Sequence, residues 1–161
     1  MTNMQTKVNP IGVGTAGQIV KGIHNYCMLF HGSVKDNSVC VGCFVQATDT
    51  EGIIKGASGN AIDNKILGVV IKDQYITAGD NTAIYKPNDV ATYLTKGVVY
   101  IETKTPAKEG QFVFLKNDNG TLIFADTDTK ADHTFTGFKV VKGTGNTVNT
   151  KTGFDIIAIM A

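Results

Sequence analysis

Apolar residues along this chain fall into short blocks that are separated by polar, glycine-containing segments. No block shows the three-to-four-residue recurrence of an amphipathic helix, and strands do not alternate with helical patterns as βαβ units require. Blocks of this length that are rich in Val, Ile, Phe and Tyr are typical of strands. The predicted strands cover residues 26–30, 39–47, 66–72, 82–85, 90–103, 112–115, 121–125, 137–142 and 154–160.

Two local signals refine this strand pattern. Residues 116–120, Lys-Asn-Asp-Asn-Gly, lie between two short apolar blocks and predict a β-hairpin. Gly97 interrupts the long block at 90–103 and predicts a bulge or a tight turn. A short helix at 89–94 with Asn88 as its N-cap is the alternative, although Val, Thr and Tyr are weak helix formers.

Segments rich in Gly, Asn, Asp and Thr predict the connections between the strands. A further break is expected at Pro87 and Asn88. Residues 1–21 are polar and glycine-rich and have neither the helical nor the strand period, so an extended arm and a disordered terminus are both open. Loops are predicted at residues 48–60, 78–81, 126–134 and 143–153.

Composition points to the same fold class. The chain has 161 residues, of which 42% are hydrophobic and 18% are charged, and it contains 18 glycines. That length suits one domain that buries a core without needing disulfides. Many short strands with turns between them suggest a single-domain all-β barrel or sandwich. We therefore expect an N-terminal arm at residues 1–24 and an all-β domain at residues 25–161.

The charge pattern argues against two classes of partner. The formal net charge is +1, every basic residue is a lysine, and the lysines are spread along the chain. Without Arg or a basic stripe, we expect no direct binding to nucleic acid. No apolar run approaches the ~20 residues of a membrane span, so we expect no membrane partner. Residues 1–21 also lack a signal-peptide pattern, which predicts synthesis in a reducing cytoplasm.

Three cysteines offer the strongest candidate metal site. Cys40 and Cys43 have C-x-x-C spacing, and Cys27 and His31 upstream could complete a tetrahedral zinc set. Against zinc, the flanking apolar residues predict a strand, in which residues three apart point to opposite faces. The odd number of cysteines argues against a disulfide framework, and Cys is a common small buried residue. We therefore expect no metal and no cofactor, with zinc at these four residues as the alternative.

Each of the other candidate motifs lacks a required residue or the structural context that it needs. Residues 12–17 match the dinucleotide fingerprint G-x-G-x-x-G, but no convincing helix follows them. Residues 126–132 resemble the start of a calcium loop, but Lys130 and Ala131 stand where an oxygen ligand and a glycine are needed. The nucleophile pattern G-x-S-x-G is absent, and the glutamates form no obvious acid–base pair. We expect no catalytic residues and hence a protein that is not an enzyme.

The order of the aliphatic segments is more informative than any of these motifs. The segments are ILGVV (66–70), KGVVYIE (96–102), EGQFVF (109–114), NGTL (119–122), GFKVV (137–141) and FDIIAI (154–159). A glycine-rich loop at 143–153 precedes the last of them. This order resembles the capsid cement, or decoration, proteins of tailed bacteriophages. The resemblance extends over residues 40–161, and the glycine-rich N-terminus is similar to the extended arms of that family.

The resemblance implies a structural role for a β-tulip-like domain with an extended N-terminal arm. Such a protein would bind the outer surface of a phage head, bridge major capsid protein subunits, and form a homo-oligomer, either a dimer or a trimer. It would be made in the bacterial host cytoplasm and end on the exterior of the virion. A carbohydrate- or receptor-binding β-module of a viral fibre is the alternative, which the absence of Trp disfavours. The expected partner contacts are Pro10, Ile11, Ile19 and Val20 in the arm and Asn146 and Val148 in the loop at 143–153.

Overall fold

The computed structural model describes residues 14–20, 26–57, 66–72 and 84–161. These residues form ten β-strands and no helix, so the all-β prediction is confirmed. Among them there is no helix long and apolar enough to cross a membrane. The strands are β1 (Met28–Val34), β2 (Phe44–Ala47), β3 (Ile53–Gly56), β4 (Ile66–Val70), β5 (Val90–Lys96), β6 (Val98–Thr103), β7 (Phe112–Lys116), β8 (Leu122–Ala125), β9 (His133–Lys142) and β10 (Asp155–Met160).

The strands form two layers. β1, β3, β2, β4 and β5 close into a barrel in that order, and β6, β10, β9, β7 and β8 form an open five-stranded sheet. Paired strands are antiparallel except β1 and β3, which run parallel. The barrel and the sandwich that the pattern predicted as alternatives are combined here, because one wall of the barrel shares a core with one face of the open sheet.

Consecutive residues in the barrel strands enter two different cores. Val45 and Val70 belong to a cluster built from the barrel strands and the loops beside them, which fills the barrel. Their neighbours Phe44 and Val69 join the larger cluster between barrel and open sheet, where the ring of Phe44 meets that of Phe138 edge-on at 5.5 Å. Strands that are buried on both faces read as continuous apolar runs, which explains why these blocks do not alternate.

The long apolar block at 90–103 folds as two strands, as predicted. Gly97 has a φ of 125°, a conformation that favours glycine, and it separates β5 from β6 so that each enters a different layer. The alternative helix at 89–94 is wrong, because these residues lie mostly in β5. Asn88 occupies a turn with a φ of 72° and caps no helix. Val, Thr and Tyr gain more from burial on both faces of a strand than a short helix could offer.

The predicted hairpin is confirmed as β7 and β8. Phe112 pairs with Ala125 at its open end, and Leu115 pairs with Leu122 beside the turn. Gly120 supplies the left-handed turn residue with a φ of 69°. A glycine at that position allows the chain to reverse without a clash of Cβ with the backbone.

Two predicted segment boundaries near the start of the domain are wrong. The block at 39–47 becomes a strand only at Phe44, because a turn precedes it in which Gly42 has a φ of 79°. The predicted loop at 48–60 contains β3. β3 has four residues, and it pairs both with the more distant β1 and with β2, across the connection at 48–52. The prediction missed this short local hairpin.

The other predicted segments differ less from the structure or lie outside the described residues. β9 begins at His133, just inside the predicted loop at 126–134. The turn predicted at 78–81 lies outside the described residues. Of the strand predicted at 82–85, the described part makes one isolated bridge, through Ile84. The remaining strand predictions differ from the structure only in where the strands begin and end.

Candidate interaction surfaces

Residues 14–20, here called the N-terminal segment, extend the open sheet at the edge formed by β6. The N–H of Gly17 donates to the carbonyl of Tyr100 over 2.8 Å, and the N–H of Val20 donates to the carbonyl of Val98 over 3.0 Å. These bonds are those of an added antiparallel strand. The segment therefore covers part of an edge that would otherwise present unpaired backbone groups.

The apolar side chains of the N-terminal segment pack within the chain itself. Val20 is 8% exposed and forms a small apolar cluster with Tyr100. Ile19 is half-buried and packs against the core between the two layers. Both residues were predicted as partner contacts, and in the single chain they contact their own domain. Pro10 and Ile11, the other two predicted arm contacts, lie outside the described residues.

The same segment is also tied to the barrel. The carbonyl of Gly17 accepts a hydrogen bond from the N–H of Lys72, which follows β4, over 2.8 Å. Gly17 has a φ of 79°, and a Cβ added there would come within 3.1 Å of the amide nitrogen of Gly42. Gly14 and Gly17 thus allow the segment to pack closely against Tyr100 and against the turn at Gly42. Residues 18–20, the described residues that directly follow the motif, form no helix, so they do not supply the context that a dinucleotide site requires.

Cys40 and Cys43 form a disulfide across the turn that precedes β2. The N–H of Cys43 donates to the carbonyl of Cys40 over 3.2 Å, which closes the turn. The expectation that Cys40 and Cys43 point to opposite faces of a strand is wrong, because they flank a turn, which brings residues three apart to the same side. The C-x-x-C spacing around Gly42 was the sequence signal for this turn.

The four residues of the alternative zinc set do not assemble around one point. The sulfur atoms of Cys40 and Cys43 are bonded to each other. Cys27 takes no part in the disulfide, and burial raises the pKa of its thiol. His31 Nδ1 lies 2.9 Å from the hydroxyl oxygen of Thr92. Among the residues that the structure describes, no three His, Cys, Asp or Glu side chains form a group that could hold a metal ion.

Counting thiols tests the disulfide directly. In denaturant without reductant, we expect one reactive thiol per chain by Ellman's assay, and three after reduction. In the native protein Cys27 should react slowly, because its raised pKa lowers the thiolate fraction. A Cys27→Ser variant serves as the control and should show no reactive thiol before reduction. Three reactive thiols without reductant would contradict the disulfide.

A cleft of about 440 Å³ opens beside the disulfide, between the barrel and the hairpin β7–β8. Its walls are mainly apolar, with Phe44 and Ala57 on the barrel side and Leu115 and Leu122 on the hairpin side. Among its described lining residues, Glu102 is the single carboxylate. A lone carboxylate supplies no acid–base pair, so the cleft is better suited to hold an apolar side chain than to catalyse a reaction.

The loop at 143–153 is tied down near its start and exposed at its tip. The N–H of Thr144 donates to the carbonyl of Ala107 over 2.8 Å, which fixes the loop against the connection between β6 and β7. Asn146 is exposed and Val148 is half-buried. Their contact with a partner stays a prediction, and the fold leaves the side chain of Asn146 accessible for it.

The fold matches that of a known phage protein, although no curated protein matches the sequence. A chain of the solved structure "The capsid of Myoviridae Phage XM1" superimposes with a TM-score of 0.62. The match covers 99% of this chain and 97% of that chain, at 14% sequence identity. At that identity the match shows a common fold.

The family comparison goes further. The family model described as structural cement protein (E217 gp24/Pam3 gp6) matches residues 4–154. The matched region includes the N-terminal segment, the disulfide turn, the whole barrel and all but the last strand of the open sheet. It agrees with the resemblance seen in the order of the aliphatic segments. The chain therefore belongs to the phage structural cement protein family.

Proposed function

We propose that this protein is a capsid cement that binds the outer surface of a phage head, bridges major capsid protein subunits and so stabilises the shell. The observation that carries this proposal is the family match over residues 4–154, nearly the whole chain. The common fold with a chain of the XM1 capsid supports it. The description of the family as structural supports a role without catalysis.

A cement must transmit force between the surfaces that it joins, and the two layers form a body suited to this. They share one core, to which Val69 and Leu94 contribute from the barrel and Phe138 and Ile159 from the open sheet, each at most 1% exposed. Interiors of this kind are close-packed, so the layers cannot slide without opening the core. A load applied to one layer is therefore passed to the other.

The N-terminal segment would give the proposed arm a fixed base. Gly17 is hydrogen-bonded to both layers, to Tyr100 in β6 and to Lys72 beside β4. Residues ahead of the segment, with Pro10 and Ile11 as the proposed contacts, would thus hold the capsid from an anchored point. Asn146 and Val148 form the second proposed contact.

Charge and repetition support the remaining parts of the proposal. A net charge of +1 without any Arg suits a position on the exterior of the head better than a position in contact with the packaged DNA. A homo-oligomer, dimer or trimer, would multiply weak contacts, so that avidity rises without a single tight site. We place the protein on the exterior of the virion after synthesis in the bacterial host cytoplasm, with no nucleic-acid or membrane partner.

Co-sedimentation with expanded phage heads that lack this protein tests the proposed function. We expect saturable binding, additional density on the outer surface by electron microscopy, and heads that release DNA at a higher temperature once the protein is bound. Bovine serum albumin at the same concentration is the negative control. A protein that stays in the supernatant at every concentration would contradict the cement function.

Removal of residues 2–13 should weaken head binding by about tenfold or more and leave the melting temperature unchanged. This deletion removes Pro10 and Ile11 but keeps the N-terminal segment on β6. A longer deletion, 2–20, is the contrasting variant. It should also lower the melting temperature, because it uncovers the β6 edge and removes the buried side chain of Val20. Undiminished binding by the shorter variant would refute the role of the arm.

A further inference from the structure

Among the described residues, one side of β1 has no pairing strand over part of its length. The parallel pairing of β1 with β3 reaches only Ser33 and Val34. Residues 28–31, here called the open edge, pair with β5 on their other side. On the β3 side, no residue of the described chain is paired with them. Within the described part of the chain, β1 is therefore paired on both sides at its C-terminal end and on the β5 side alone at its N-terminal end.

Backbone groups of the open edge point away from the barrel at alternate residues. Ser33 donates its N–H toward β3 over 2.9 Å, and Val34 donates its N–H toward β5 over 2.8 Å. Successive residues of a strand direct these groups to opposite sides. Leu29 and His31 therefore direct their N–H and C=O groups to the open side, in phase with Ser33.

Side chains of the open edge are exposed, and all but that of His31 are apolar. The exposed fractions are 48% for Met28, 42% for Leu29 and 47% for Phe30, and Tyr26 just ahead reaches 86%. Residues 26–34 contain no Lys, Arg, Asp or Glu and no Pro. Those are the residue types that usually protect an edge strand from pairing with another chain. An exposed apolar edge that lacks these residue types is typical of an interaction site.

We propose that the open edge pairs with the open edge of a second copy, antiparallel and about a two-fold axis that passes beside Phe30. In that register Leu29 of each chain faces His31 of the other, and both residues direct their hydrogen-bonding groups to the partner. The edge is self-complementary, because residues at equal distances on either side of Phe30 present the same donors and acceptors.

Charge and symmetry favour a second copy as the occupant. Like charges placed opposite each other destabilise a strand pair, and the uncharged sequence at 26–34 avoids this in a self-contact. A two-fold contact also closes on itself and ends at a dimer. The ring of Phe30 is held in place by stacking on Tyr93 at 6.2 Å, so it is presented at the axis. This inference rests on the self-association proposed above and specifies the dimer rather than the trimer. The interface would form whether or not the protein binds a capsid.

Sedimentation velocity on the full-length protein tests this interface. We expect a dimer for the wild type, and a dissociation constant raised by about tenfold or more for Phe30→Lys and for Leu29→Lys. Ile84→Lys is the matched control, because Ile84 is 60% exposed but bridges to Cys40 and not to β1. It should remain dimeric. A monomeric or trimeric wild type, or a Phe30→Lys variant that dimerises as well as the wild type, would overturn the proposal.

Cross-linking tests the register. In a Cys27→Ser background, Phe30→Cys should place two thiols opposite each other, with Cβ atoms about 4.5–5.5 Å apart. Mild oxidation should then yield a covalent dimer, whereas Ile84→Cys should not. If the wild type is monomeric and Phe30→Lys loses head binding instead, the edge contacts the capsid and the dimer interface is refuted. A cross-linked dimer that does not bind heads would refute the cement function and leave this interface intact.

Discussion

Replacing Phe138 with alanine is expected to lower the free energy of unfolding by about 3–5 kcal/mol. Phe138 is 1% exposed and lies where the barrel meets the open sheet, with its ring edge-on to Phe44. The cavity left behind lies between two close-packed layers that cannot readily collapse into it. For a domain of this size the melting temperature should fall by about 6–20 °C.

Phe135→Ala is the matched control, because Phe135 lies in the same strand, β9, but on its other face. Its ring is 38% exposed and contacts Phe112 and Phe114. We expect this variant to lose about 1–2 kcal/mol. Thermal and urea denaturation followed by circular dichroism measures both losses. Equal losses from the two variants would show that the core between the layers is not the main source of stability.

Gly68→Ala is expected to cost about 3 kcal/mol, although it adds a single methyl group. A Cβ at Gly68 in β4 would overlap the carbonyl oxygen of Leu94 and stand 2.8 Å from its carbonyl carbon. Both atoms belong to the backbone of β5, so the clash can be relieved only if the two strands separate. That separation would weaken both cores at once, since β4 and β5 contribute to each of them.

Gly137→Ala separates this effect from backbone strain. Gly137 has a φ of 85°, and no atom lies within 4 Å of a Cβ placed there. The substitution should therefore cost only the strain of a left-handed residue, about 1–2 kcal/mol. Urea denaturation of both variants provides the comparison. A loss for Gly68→Ala no larger than that for Gly137→Ala would contradict the close approach of β4 and β5.

These two glycines explain why soft sequence patterns identified the family. ILGVV at 66–70 and GFKVV at 137–141 were among the segments that carried the resemblance. Each contains a position where the backbone demands glycine, for close approach at Gly68 and for a positive φ at Gly137. Steric demands of this kind act on a single residue, so they are visible in one sequence.

The interaction surfaces were less accessible to sequence reasoning. Ile19 and Val20 were expected to face a partner, since an apolar residue in a glycine-rich terminus has no visible core to join. The structure supplies that core through β6. Of the open edge at 28–31, residues 28–30 were predicted only as part of a strand. Its exposure depends on how far β3 runs along β1, and that pairing joins residues distant in the chain.

The all-β class, the hairpin of β7 and β8 and the break at Gly97 were predictable from the sequence alone, and the order of the aliphatic segments carried the resemblance to the family. The three structural features follow from local backbone preferences or from the spacing of apolar residues, which act within a few positions. Which strands close the barrel, how far β3 runs along β1 and where residues 14–20 lie became apparent only in the tertiary structure. Those features depend on hydrogen bonds and packing between residues far apart in the chain, which leave no local signature in the sequence.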